Sequence, residues 1–198
     1  MQRLTTQILE HVTGLPEGAP VAAKELLHMG SRAAVDQALS RLAQRGQLMR
    51  AGRGLYVRPI ETRFGKRPPS VEHLVQAVAG AKGETIASHG AAAANALGLT
   101  TQVPVRAIYL TSGRSRRLKL GEQTVELRHA PHWQLTMAGR PAGEAIRALA
   151  WLGEAHVGEA LHTLRQRLPA SALQEIAGAR PRLPTWLAQQ VSRLVVNG

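Results

Sequence analysis

"SRAAVDQALSRLAQRGQLMRAGRGLYVRP", Ser31 to Pro59, decides how the chain is read. It opens on a residue suited to cap a helix, because the Ser31 hydroxyl accepts from the free amides of the next turn. Val35, Ala38, Leu39 and Leu42 then recur at i, i+3, i+4 and i+7, which predicts a helix with one buried face. Gly46 permits the left-handed residue that ends such a helix. "QLMR" and "LYVR" follow as short strands joined through "AGRG", whose glycines are expected to supply positive φ.

With that face turned inward, Arg32, Ala33, Asp36, Gln37, Ser40, Arg41, Gln44 and Arg45 look outward. Arg32 has the fork that reads guanine and Gln37 the amide that reads adenine, while Arg41 and Arg45 suit phosphates. Asp36 is awkward beside phosphates unless it accepts from cytosine or orients Arg32. A solvated polar face accounts for the same residue types, so the hairpin that follows carries the weight. Arg53 stands between Gly52 and Gly54 at its tip, where an arginine suits a narrow minor groove. Arg50 and Arg58 flank the tip and suit phosphates.

Upstream, Leu4, Ile8, Leu9 and Val12 predict a first helix ended by Gly14 and Pro16. "VAAKELLHMG" reads as a short second helix stopped at Gly30. Helix, helix, tight turn, helix, hairpin is the order of a winged helix-turn-helix. Ser31–Pro59 resembles the recognition helix and wing of bacterial winged-helix regulators and antitoxins.

Composition agrees with a polyanionic partner. Lys and Arg number 25 against 13 Asp and Glu, a formal net charge of +12, which favours nucleic acid first and an anionic membrane surface second. Aromatics are 3%, too few for a base-stacking surface of the single-strand type. There is no cysteine, hence no disulfide framework or thiolate metal site. No apolar run approaches the ~20 residues that span a bilayer, and the N-terminus lacks the apolar core of a signal peptide. A soluble protein of the cytoplasm is expected.

"IETRFGKRPPS", with consecutive prolines, reads as a linker or extended crossover over 60–70. Ser70 caps a further helix whose Val71, Leu74, Val75 and Val78 suit burial. "SHGAAAANALGL" predicts a small-residue helix able to pack closely. Strands are expected over about 103–130, in "VRAIYLT" and "QTVELRHA", with "SGRSRRLKLGE" between them as a basic loop or short hairpin. Its Arg114, Arg116, Arg117 and Lys119 are either a second phosphate-contacting surface or a solvated turn. Four helices are expected over about 141–198.

Enzymatic readings fare worse. His129 and His132 are separated by a proline, which argues against a helical metal pair, and no thiolate or Asp ligand is nearby. Ser88 and His89 are adjacent, whereas a nucleophile and its base normally converge from different segments. Asp36 is the only aspartate, so the clustered carboxylates of a magnesium nuclease are missing. No catalytic residue, metal or cofactor is expected, and a nuclease delivered by a winged helix stays as the alternative, beside a plain transcriptional regulator.

"TIASHGAAAANALGL" followed by "TTQVPVRAIYLTSG" is similar to the AbiEi-type antitoxin family of abortive-infection systems, through Ser88, His89, Ala92, Leu97, Gly98 and Leu99. "RPRLPTWLAQQVSRLV" resembles the closing helical part of such proteins. The resemblance implies the antitoxin of a type IV toxin–antitoxin pair, one that represses its own promoter at inverted repeats. It also implies a nucleotidyltransferase-like toxin as functional partner, countered without a stable complex. The expected architecture is therefore α+β: a winged helix over 1–59, a linker over 60–70, and a mixed α/β antitoxin domain over 71–198 ending in helices. One winged helix reads only a few base pairs, so a homodimer on a two-fold DNA site is expected.

Overall fold

The computed structural model describes residues 3–196 and is a mixed α+β chain that divides into two compact units. The first holds the chain up to Glu84 together with Arg116–Glu126; the second holds Thr85–Ser115 and the chain from Leu127 onward. This differs from a break at 60–70, because contacts with distant segments, which leave no periodicity in sequence, decide where a unit ends.

In the first unit, α1 (Leu4–Thr13) is followed by β1 (Pro20–Ala22), a 3-10 turn (Ala23–Leu26) and α2 (Arg32–Gln44). Then come β2 (Met49–Gly52) and β3 (Leu55–Val57). The sheet order is β1-β3-β2, all antiparallel, with Val57 opposite both Pro20 and Met49. The expected second helix is thus a correction: "VAAKELLHMG" is the end of a strand and a 3-10 turn. Val21 and Ala22 take their backbone partners from Tyr56 and Leu55, which a helix would forgo. Ile8, Val12, Val21, Leu26, Val35, Leu39, Leu42, Leu48 and Tyr56 close over one apolar core.

Residues 60–70 also depart from expectation. They are not a linker but a hairpin of β4 (Ile60–Thr62) and β5 (Gly65–Arg67), with Glu61 opposite Lys66. Gly65 takes φ +109° and the Thr62 hydroxyl donates to its carbonyl at 2.8 Å, closing a turn ahead of the prolines. Ser70 then accepts from the His73 amide at 3.1 Å and caps α3 (Val71–Gly80), which buries Leu74, Val75, Val78 and Ala79.

The second unit opens with β6 (Ile86–Ser88), α4 (Gly90–Ala96) and β7 (Ala107–Thr111), β6 pairing antiparallel with β7. The basic stretch expected as a loop or short hairpin returns to the first unit as a strand, β8 (Arg116–Leu120), which turns at Gly121 into β9 (Gln123–His129). The second unit continues with a short α5 (His132–Leu135) and then α6 (Pro141–Leu152), α7 (Val157–Arg167), α8 (Ala170–Ala179) and α9 (Thr185–Val196). Ile146, Leu149, Leu161, Leu164, Ile176, Leu187 and Val191 form its apolar core. The small-residue helix packs as expected: Ala93 and Ala94 of α4 lie against Ala148 of α6, with Gly90 where α6 comes closest.

Candidate nucleic-acid interface

The Ser31 hydroxyl accepts from the Ala34 amide at 3.3 Å and starts α2. At the other end the Gly46 amide donates to Ala43 and that of Gln47 to Leu42, with Gly46 at φ +66°, a left-handed stop that only glycine adopts cheaply. Val35, Ala38, Leu39 and Leu42 are buried. Arg32, Ala33, Asp36, Gln37, Ser40, Arg41, Gln44 and Arg45 are all exposed on the other side. Asp36 does orient Arg32: the Arg32 Nε donates to its carboxylate at 2.8 Å, one turn along the helix. Both side chains are about half exposed, so the pair holds a rotamer more than it adds stability.

Arg53 is exposed at the tip between β2 and β3. Gly54 carries the positive φ there, +64°; Gly52 does not, because it belongs to β2, where the pairing register shifts between Arg50 and Gly52. The exposed Arg50 donates from Nε to the Gly52 carbonyl at 3.3 Å, which directs its guanidinium toward the tip. Arg58 is placed elsewhere. It follows Val57, the residue opposite Met49 at the base of the hairpin, and donates to the Thr13 carbonyl of α1 at 3.4 Å. There it lines a cleft of about 530 Å³ with Glu17, Glu61 and Lys66.

The four cations of the second basic stretch are not equivalent. Arg114 falls in the second unit. Arg116 is engaged in the interior of the first: its two terminal nitrogens donate to the Glu84 carboxylate at 3.0 and 2.6 Å. Arg117 and Lys119 are exposed on β8.

The second unit holds a polar cluster that the sequence did not announce. The Ser88 hydroxyl donates to Glu144 of α6, whose other oxygen accepts from Arg147 at 2.8 Å. Arg147 is only 2% exposed and also donates to the Gln134 and Thr136 carbonyls. An arginine three residues after a glutamate inside the apolar run "EAIRALAW" was the available signal. Ser88 therefore donates into a carboxylate that also accepts from a buried arginine. His89 Nδ1 accepts from the Ala91 amide at 3.3 Å, leaving the proton of the neutral ring on Nε2. Burial, then the positive Arg128, pushes the His89 pKa below its ordinary value. His89 and Trp151 flank a small cavity of about 120 Å³. Among the described residues no three His, Cys, Asp or Glu side chains group to hold a metal ion, and no helix is long and apolar enough to cross a membrane.

Residues 7–171, from within α1 to the first turn of α8, match the model of DUF6088, a family of unknown function. The chain belongs to that family. The DUF6088 match covers α2, the β2–β3 hairpin, the Ser88–His89 segment and β8 alike. No curated protein matches the chain.

Proposed function

We propose that the protein is a sequence-specific DNA-binding repressor whose first unit is a winged helix-turn-helix, with α2 as recognition helix and the β2–β3 hairpin as wing. The observation that carries this reading is the adjacency of two exposed elements. A capped helix presents Arg32, Gln37, Arg41 and Arg45, and directly after it a hairpin presents Arg53 at its tip. The element order α1–β1–turn–α2–β2–β3, with β1 completing a three-stranded sheet, fits a winged helix. The net charge of +12 supplies long-range attraction to duplex DNA. Bases would be read by Arg32 and Gln37 at the helix N-terminus, and phosphates held by Arg41, Arg45 and Arg50.

The biological role that agrees with the AbiEi-like segment is that of a type IV antitoxin acting in the cytoplasm. It would repress its own operon as a homodimer on inverted repeats and counter a nucleotidyltransferase-like toxin without a stable complex. This half rests on resemblance through Ser88, His89, Ala92, Leu97, Gly98 and Leu99. Co-expression with the product of the adjacent gene tests it: growth should be rescued without co-purification, and no effect on growth refutes the antitoxin role.

DNA binding is tested by gel shift on the protein's own upstream DNA. Arg32→Ala should relax preference at one base position by roughly 1–3 kcal/mol, while Arg53→Ala should weaken binding. Unchanged affinity in both variants would mean that the face is only solvated.

A further inference from the structure

We propose that the wing is a composite of two distant chain segments: β8 lies antiparallel beside β2 and adds Arg117 and Lys119 to the DNA-contacting surface as phosphate contacts. The inference rests on the DNA-binding reading of α2 and the wing. Its basis is the close approach of β8 to β2 within the first unit, the two strands belonging to different sheets. A Cβ built on Gly52 would stand 3.8 Å from Leu118 Cδ2, and one built on Gly121 would stand 3.5 Å from Met49 Cε. Numbers rise along β8 as they fall along β2, so the strands run antiparallel. Leu118 meets the end of β2 nearest the wing tip, and Arg117 is the next residue of β8 in that direction.

The alternation of a strand sorts the β8 side chains by face. Leu118 and Leu120 are 3% and 1% exposed, while Arg117 and Lys119 are turned to solvent. Arg116 belongs with the anchors. Its two bonds to Glu84, between side chains 19% and 13% exposed, fix the first residue of β8 and so hold the backbone that carries Arg117. Arg117 itself is 76% exposed and meets the largely buried Glu126 at 3.6 Å, so most of its guanidinium is open to a phosphate from solvent. Two cations on a rigid strand, beside the hairpin that carries Arg53, match a run of phosphates beside the groove that Arg53 would enter. Direct base contact is not required of them: lysine and arginine on such a flank neutralise phosphate and release counterions.

The experiment is a salt series, ~50–200 mM, of the full chain titrated onto a duplex of its own upstream DNA by fluorescence anisotropy. Arg117→Ala/Lys119→Ala is compared with wild type and with Lys82→Ala/Arg182→Ala, which removes the same charge elsewhere. The double variant on β8 should lower the slope of log K against log salt by about 1.8, from ~0.9 per phosphate contact. At ~0.15 M salt that is roughly a 30-fold loss of affinity. Arg117→Lys/Lys119→Arg should keep the wild-type slope, which a purely structural role would not require. Wild-type protein with no measurable DNA binding would overturn the wing reading and this proposal with it. Wild-type binding with an unchanged slope in the β8 variant would overturn this proposal alone. Equal slope losses in the β8 and control variants would do the same, because only net charge would then matter.

Discussion

Gly90→Ala tests the packing that seats the Ser88–His89 segment. A Cβ at position 90 would lie 2.5 Å from the Trp151 Cβ and 2.6 Å from the Arg147 carbonyl oxygen. Ordinary contact is about 3.5–4.0 Å, so each approach is roughly 1 Å too close. Neither atom can rotate away, since one is backbone and the other is fixed at the root of its side chain. α4 and α6 must therefore separate, and overpacking of this kind costs about 1–3 kcal/mol. For a domain of this size each kcal/mol moves Tm by about 4–8 °C, so a fall of roughly 8–16 °C is expected for a cost of ~2 kcal/mol. Gly178→Ala in α8 is the matched control. Nothing lies within 4 Å of its Cβ position, and removing a helical glycine there should stabilise by about 0.5–1 kcal/mol. Tryptophan fluorescence during urea or thermal unfolding reads this unit alone, because all 3 tryptophans, Trp133, Trp151 and Trp186, belong to it. A Gly90→Ala protein as stable as wild type would refute the close approach of α4 and α6.

Two further outcomes follow from local chemistry. Because the folded His89 pKa is lowered, the unfolded chain binds the proton more readily. That contribution to stability is complete above the unfolded value of about 6.5 and is lost as pH falls through it toward the folded value. His89→Asn, which keeps a capping acceptor, should remove this component of the pH dependence of Tm between about pH 7 and 5; an unaltered profile would contradict it. Ser31→Ala should cost about 0.5–1 kcal/mol of stability by circular dichroism, the low end for a cap because the bond is 3.3 Å long and exposed.

The helix α2 was legible because its evidence is local. Ser31, the four apolar positions and Gly46 lie within sixteen residues, and each acts on its own turn. The four long helices of the last third were legible for the same reason. β1 was not: three residues carry no period, and Val21 is extended only because Tyr56 pairs with it from far along the chain. The β4–β5 hairpin was hidden by the prolines that follow it, although Gly65 marked its turn. Among the candidate site residues, Arg32 and its partner Asp36 could be read one helical turn apart. Arg116 could not be separated from Arg117, because what engages it is Glu84, thirty-two residues upstream. Arg58, one residue beyond β3, is drawn to α1 by a carbonyl that no local pattern announces.

The central claim is that the exposed face of α2 and the wing read DNA sequence. The most direct test is the ratio of dissociation constants for the protein's own upstream DNA and a scrambled duplex of equal composition, at ~150 mM salt. The account predicts a preference of about 10³ or more for its own DNA. A ratio near one would contradict it.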